Sequence, residues 1–104
     1  MTLKFFIENY DFNDFEIDNV VIKDNNLKLY AKINAHLELI ANGYRPEFDV
    51  IQNSLFIFKT NHKNHKFRSP FNVSIIEYNN TEAILKINDE IIKILDENIS
   101  VSRY

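Results

Sequence analysis

Hydrophobic and polar residues alternate over the longest patterned stretch of the chain, which runs from Leu27 to Leu39. Its apolar positions are Leu27, Leu29, Ala31, Ile33, Ala35, Leu37 and Leu39. Because successive side chains of a β-strand point to opposite faces, this period predicts one long strand, or two strands joined by a bend. The turn-forming residues Asp24, Asn25 and Asn26 separate it from an earlier apolar run and predict a hairpin.

Shorter segments with the same alternation predict further strands, and Asn-rich turns divide them. These segments are 3–7, 48–52, 55–59, 71–75, 83–87 and 99–104. Turns are expected at 53–54 and at 79–80, where Asn and Ser side chains can hydrogen-bond the local backbone. The stretch 11–18 lacks a long alternation and has room for a helical turn.

Residues 89–97 fit two structures. Asn88 and Asp89 can cap a helix that continues through Leu95, or they can form a hairpin turn before a buried strand. The high Ile content favours the strand. The sequence therefore predicts one mostly β domain over residues 1–104, built as an antiparallel β-sandwich, barrel or strongly curved meander, with one short helix as an option.

Composition removes several classes of chemistry. The chain has no Cys, which excludes disulfides, thiol catalysis and Cys-based zinc sites. Its one glycine, Gly43, leaves no Gly-bearing nucleophile elbow, phosphate loop or dinucleotide fingerprint. We therefore expect a protein that is not an enzyme, has no catalytic or metal residues and uses no cofactor. Its apolar runs are too short for a signal peptide or a membrane span, which predicts a cytoplasmic protein without a membrane partner.

The charges divide into an acidic segment, 8–18, and a basic segment, 59–68, within a formal net charge of −3. A mildly acidic total argues against direct nucleic-acid binding. His62 and His65 have a spacing that can bring two imidazoles near one metal ion, but a third ligand is usually needed and the neighbouring cations oppose it. We expect a solvated basic loop here, and a histidine pair that cleaves RNA is a further hypothesis.

Aromatic residues are interleaved with the carboxylates of the acidic segment. Core aromatics flanked by solvated charge explain this pattern, and so does a surface that binds a basic partner. In the second case the aromatics bury area while the acids steer encounter. The residues favoured for such a partner-binding patch are Tyr10, Asp11, Asp14, Glu16 and Asp18.

The chain as a whole resembles the bacterial immunity proteins encoded beside contact-dependent growth-inhibition and other polymorphic toxins. It is short, Cys-free and acidic, it is rich in Asn, Ile, Lys and Phe, and it lacks a catalytic signature. Such proteins share no motif, so no functional residue is carried over. The resemblance implies an antitoxin that docks on a cognate protein toxin domain, often a basic nuclease, and neutralises it. The alternative is a small-ligand or carbohydrate-binding β domain that stacks its ligand on Tyr30, Tyr44 and Tyr78.

Overall fold

A computed structural model describes the backbone of residues 1–38 and 47–104, and the side chains of 1–34 and 50–104. Residues 39–46, which include Gly43, Tyr44 and the end of the predicted long alternation, lie outside the described residues. The helical elements are α1 (Leu3–Asn9) and a 3₁₀ helix (Phe12–Asp14). The strands are β1 (Glu16–Lys23), β2 (Asn26–Glu38), β3 (Glu47–Thr60), β4 (His65–Lys66), β5 (Val73–Tyr78), β6 (Glu82–Ile87) and β7 (Glu90–Arg103).

The described strands form one antiparallel sheet with the order β4-β1-β2-β3-β7-β6-β5. Strands β1 to β3 form one meander and β5 to β7 form another, and the pairing of β3 with β7 joins the two. The sheet curls into a half-barrel. The predicted mostly β, antiparallel fold is confirmed. Of the predicted forms, which were a sandwich, a barrel and a strongly curved meander, the sheet takes the last.

The predicted hairpin between β1 and β2 is confirmed. Asp24 and Asn25 occupy its turn with φ values of 53° and 64°. Positive φ at both central residues belongs to the turn that matches the right-handed twist of paired strands. Strand β2 then continues without a break to Glu38, so the described part of the long alternation forms one strand.

The inward face of the half-barrel holds the core, and α1 with the 3₁₀ helix covers it. The strands supply alternate residues to this face, as period two requires. The buried apolar residues of the strands are Val20, Ile22, Leu27, Leu29, Ala31, Phe56, Phe58, Val73, Ala83, Leu85, Ile87, Ile92, Ile94 and Ile99. Leu3, Phe6 and Phe12 of the helical elements complete the core, with Phe67 from the chain after β4.

The prediction of a strand over residues 3–7 is wrong, because this segment belongs to α1. Thr2 caps the helix, and its hydroxyl accepts a hydrogen bond from the Phe5 amide at 3.1 Å. Leu3 and Phe6 are three residues apart, so a helix places both on the face that meets the sheet. A strand would have put Phe6 on the face opposite Leu3, and the burial of both decides for the helix.

The prediction of a turn at Asn53-Ser54 is also wrong. Strand β3 runs through these residues, with Asn53 opposite Lys32 and Ser54 opposite Ala31 on β2. Ser54 is 2% exposed and lies on the same face as Phe56. The small pair formed by Ser54 and Ala31 keeps the inward alternation intact, so tertiary pairing overrides the turn preference of Asn and Ser.

Residues 90–97 lie in strand β7 and Asp89 lies in the turn before it, which confirms the favoured strand structure. Asn88, with φ of 52°, forms part of the turn that leads from β6 into this strand. The register of β7 against β3 shifts between Leu95 and Ser100. The N-terminus docks on the irregular segment: the Met1 amino group donates to the Ile99 carbonyl at 2.6 Å, and the Leu3 amide donates to Asp96 Oδ1 at 2.7 Å.

Candidate partner-binding site

Tyr10 ends α1 and belongs to a cluster of aromatic rings. Its amide donates to the Phe6 carbonyl at 2.9 Å. Its half-buried ring stacks on Phe6 with centroids 5.2 Å apart and meets Phe56 edge-on at 5.3 Å. Phe15 stacks on the other side of this cluster, with its centroid 4.9 Å from that of Phe56. Tyr10 is therefore held in place by the core while part of its ring remains in contact with solvent.

The 3₁₀ helix places two predicted site residues beside Tyr10. Asp11 caps this helix, and its Oδ1 accepts a hydrogen bond from the Asn13 amide at 2.9 Å. The Asp14 amide donates to the Asp11 carbonyl at 3.0 Å. Phe12 is buried and fixes the helix to the core, whereas both carboxylates are exposed. The structure thus brings Tyr10, Asp11 and Asp14 together, and the expected helical turn within residues 11–18 is confirmed.

Two open clefts flank Tyr10 and Asp11. One has a volume of about 320 Å³, and its lining residues are Ile7, Tyr10, Asp11, Phe12, Asn13, Val73, Ser74 and Ile75. The other has a volume of about 260 Å³, and its lining residues are Asn9, Tyr10, Asp11, Asp14, Phe15, Ile33, Asn34 and Gln52. Each combines apolar side chains with at least one carboxylate and one amide, and none of the described residues that line either cleft is a lysine, arginine or histidine.

Glu16 and Asp18 lie on β1 and are separated from this group. Glu16 pairs with Lys32 of β2 in the sheet register, and a bulge between Ile17 and Asn19 contains Asp18. The Asp18 carboxylate accepts hydrogen bonds from Lys32 Nζ at 3.1 Å and from the Tyr104 hydroxyl at 2.7 Å. These two hydrogen bonds hold the pKa of Asp18 below its usual value, and the bond from Tyr104 has the larger effect.

Asp18 therefore belongs to a polar cluster on the outward face of the sheet, together with Lys32, Tyr104 and Tyr30. The hydrogen bond from Lys32 to Asp18 raises the pKa of the lysine. The Tyr104 ring meets Tyr30 edge-on with centroids 5.1 Å apart. Sequence reasoning did not find this cluster. The alternation in β2 shows that Tyr30 and Lys32 lie on the same polar face of the strand, but nothing in the sequence placed Tyr104 beside β1.

The basic segment contains β4, so it is in part an edge strand and not only a loop. The fold also brings Glu90 of β7 to the two histidines. His65 Nε2 lies 3.2 Å from Glu90 Oε1, and His62 Nε2 lies 3.8 Å from Glu90 Oε2. His62 Nδ1 lies 2.9 Å from the Lys63 carbonyl oxygen. Glu90 of β7 therefore lies beside both histidines of the basic segment.

Within the described residues, no group of three or more His, Cys, Asp or Glu side chains is arranged to hold a metal ion. The described helices include none long and apolar enough to cross a bilayer. The tyrosines of the carbohydrate hypothesis do not share a surface in the described part of the chain. Tyr30 is on β2, Tyr78 is on the edge strand β5, and three strands separate them.

No family model, no curated protein and no solved structure matches this chain. Known proteins therefore supply no functional residue for the site. Its function is inferred from the geometry and charge of Tyr10, Asp11 and Asp14 and from the two clefts beside them.

Proposed function

We propose that this protein is a stoichiometric inhibitor that binds and neutralises a basic protein toxin domain, with a nuclease as the favoured type. Its contact region is the Tyr10 surface, which we define as Tyr10, Asp11, Asp14 and the two clefts that they line. The observation that carries the proposal is the shared position of Tyr10 and Asp11 in both cleft walls. A fixed aromatic ring between two cavities with acidic rims suits a protein contact.

The packing of Tyr10 favours a binding role because its ring is already ordered. Rings at 5.2 Å and 5.3 Å hold it from two sides, so little side-chain entropy is lost when a partner covers the exposed part. Binding energy in protein interfaces concentrates in such aromatic anchors, which fill pockets and exclude water. The Tyr10 surface offers both an anchor and two cavities for anchors of the partner.

The charge of the Tyr10 surface defines the class of partner. Asp11 and Asp14 are exposed carboxylates on one short helix, and the lysines, arginines and histidines that the structure describes line neither cleft. Carboxylates in this position attract a positively charged surface and increase the rate of encounter. Nucleases carry such a surface because they bind the phosphates of nucleic acids. The resemblance to immunity proteins points to the same class.

Glu16 and Asp18 have a different role in this proposal. Asp18 is bonded to Lys32 and Tyr104, and a partner that contacted it directly would have to replace these bonds. Both acids add to the negative field around β1 without forming the anchor. The direct contacts come from the Tyr10 surface.

The decisive experiment is co-purification of this protein with the product of the neighbouring gene. The expected result is a one-to-one complex with the C-terminal domain of a larger protein, and growth of cells that express this domain only when the inhibitor is present. A neighbouring product that neither binds nor harms cells would contradict the proposal. The same assay distinguishes an inhibitor from an enzyme. A stoichiometric inhibitor protects cells only when its amount equals that of the toxin, whereas an enzyme protects them at a smaller amount.

Charge reversal then tests the assigned surface. The double variant Asp11→Lys and Asp14→Lys should reduce the association rate by about tenfold or more at low salt, and by less at high salt. A matched control, Glu77→Lys and Asp89→Lys, changes the net charge equally through exposed residues of β5 and the β6–β7 turn. Equal rates for the two variants would show that total charge matters and that the Tyr10 surface does not.

A further inference from the structure

The smaller of the two clefts, which we call the Asp14 cleft, is the one lined by both carboxylates. Its volume is about 260 Å³, and its walls include Asp11 and Asp14. Phe15 and Ile33 form an apolar part of the lining and are only partly exposed. The remaining polar side chains of the described lining are Tyr10 and the amides Asn9, Asn34 and Gln52. A ligand that fits this cleft needs an apolar portion and a positive charge.

Phe15 and the Asn9 amide of the Asp14 cleft are held in place by contacts within the protein. Phe15 stacks on Phe56 with an interplanar angle of 22° and meets Phe12 edge-on at 5.4 Å. The Asn9 side-chain amide donates through Nδ2 to the Phe5 carbonyl at 2.8 Å. This bond leaves Asn9 Oδ1 as the acceptor of that amide. The cleft therefore offers hydrogen-bond acceptors beside an ordered aromatic ring.

We propose that the Asp14 cleft receives an arginine side chain of the basic partner, and this inference rests on the proposed function. A guanidinium group is planar, is weakly hydrated, stacks on aromatic rings and donates in a fixed fork to carboxylates. Its aliphatic stem covers Ile33, its plane lies against Phe15, and its donors meet Asp11 and Asp14. A lysine ammonium is more strongly hydrated and lacks the plane and the fork, so it fits this lining less well.

The test uses full-length, isotope-labelled protein and three small probes: N-acetyl-argininamide, N-acetyl-lysinamide and N-acetyl-citrullinamide. Citrulline keeps the length and planarity of arginine but is neutral. The readout is the NMR shift of the side-chain amides of Asn9, Asn34 and Gln52. The arginine probe should shift these signals saturably, with a Kd on the order of 1 mM. Citrulline should leave them unchanged, and lysine should bind more weakly.

The variant for this test is Asp11→Asn with Asp14→Asn. Asn caps helices about as well as Asp, so the 3₁₀ helix is expected to keep its structure. Binding of the arginine probe should weaken by about tenfold or more, because two charge-assisted bonds are lost. The matched control is Glu77→Gln with Asp89→Asn, which removes the same charge elsewhere and should bind as the wild type does.

Three results would overturn the arginine assignment: equal shifts with citrulline, equal affinity for lysine, or unchanged binding in the double variant. These outcomes are separate from a failure of the proposed function. If the toxin complex forms but the cleft does not bind the arginine probe, only the arginine assignment is refuted. If the cleft binds the arginine probe selectively but the neighbouring gene product is not toxic, the arginine assignment stands and the proposed toxin partner is refuted.

Discussion

The Tyr104 hydroxyl donates a hydrogen bond to Asp18 Oδ2 at 2.7 Å, although 86 residues separate the two in the chain. The bond connects the end of β7 to the bulge of β1 across the outward face of β2 and β3. Lys32 shares the same carboxylate, and Tyr30 packs on the Tyr104 ring. This contact between the bulge of β1 and the residue after β7, two strands that β2 and β3 separate in the sheet, predicts how stability depends on pH.

The first prediction concerns the stability of the fold at alkaline pH. Partial burial, and next the bond to Asp18, raise the pKa of Tyr104 to about 12. An unfolded tyrosine titrates near 10, so the folded state retains the proton longer. The stabilising contribution is complete below about pH 10 and is lost as pH rises toward 12. A difference titration of tyrosinate absorbance between wild type and Tyr104→Phe should show this late step.

Urea unfolding across the same pH range is the second measurement for Tyr104. Wild type should lose stability relative to Tyr104→Phe as the hydroxyl ionises. Tyr78→Phe, which removes a phenol from a ring that is 59% exposed on β5, is the control for the loss of one hydroxyl. A wild type that follows the Tyr104→Phe curve over the whole range would contradict the prediction.

The second prediction concerns Asp18 at acid pH. Its pKa is lowered chiefly by the bond from Tyr104, so its contribution to stability is present above about pH 3.9 and is lost as pH falls through the folded value. The Asp18 side chain is 33% exposed, and solvent screening limits the contribution to about 1 kcal/mol or less. Carboxyl-selective NMR should show Asp18 titrating at higher pH in Tyr104→Phe than in wild type, and identical titrations would disprove the link.

The third prediction tests α1 as part of the core. Phe6 is 1% exposed and packs against Tyr10, Phe12, Phe56 and Phe58, whereas its neighbour Phe5 is 51% exposed. Phe6→Ala should reduce the free energy of unfolding by about 3–5 kcal/mol. Phe5→Ala, in the same helix, should change it by about 0.5 kcal/mol or less. Similar losses from both substitutions in denaturant unfolding would mean that α1 does not dock through Phe6.

The fourth prediction concerns Asn88, which connects the β6–β7 turn to the segment before β5. Its Oδ1 accepts from the Asn72 amide at 3.0 Å, and its Nδ2 donates to the Arg68 carbonyl at 3.0 Å. Asn88→Gly keeps the positive φ and loses both bonds, at a cost of about 1–2 kcal/mol. Asn88→Ala should cost about 1 kcal/mol more, because a Cβ disfavours φ of 52°.

The matched control for Asn88 is Asn98→Gly, at a residue of β7 that also has a positive φ, 49°. It should change the free energy of unfolding by only a few tenths of a kcal/mol, because glycine accepts this backbone conformation. If Asn88→Gly and Asn98→Gly are equally mild in urea unfolding, the two side-chain bonds of Asn88 contribute little and the turn depends on the backbone alone.

The sequence was informative wherever one local preference acted without competition. The alternation that begins at Leu27 required a strand, and β2 follows it from Asn26 to Glu38. Asp24 and Asn25 accept positive φ, so the hairpin could be placed to within one residue, since the predicted turn also included Asn26, which begins β2. The sequence also located the acids beside Tyr10, because their positions in the chain are close and a single 3₁₀ turn suffices to group them.

Sequence reasoning failed where two periods fitted the same residues. The run from Leu3 to Ile7 alternates, but Leu3 and Phe6 also have helical spacing, and only the shape of the half-barrel required both to be buried. Asn53 and Ser54 prefer turns by themselves. Their pairing with Lys32 and Ala31 kept β3 extended, because a turn would have broken a ladder that continues on both sides.

The sequence by itself determined the β class, the position of the first hairpin and the grouping of Tyr10 with Asp11 and Asp14, because each depends on neighbours along the chain. Tertiary structure alone decided that Asp18 bonds to Tyr104 and that Glu90 faces His62 and His65. These contacts depend on strand order and register. Such long-range pairings follow from how the whole sheet closes over its core, and no local pattern in the chain encodes them.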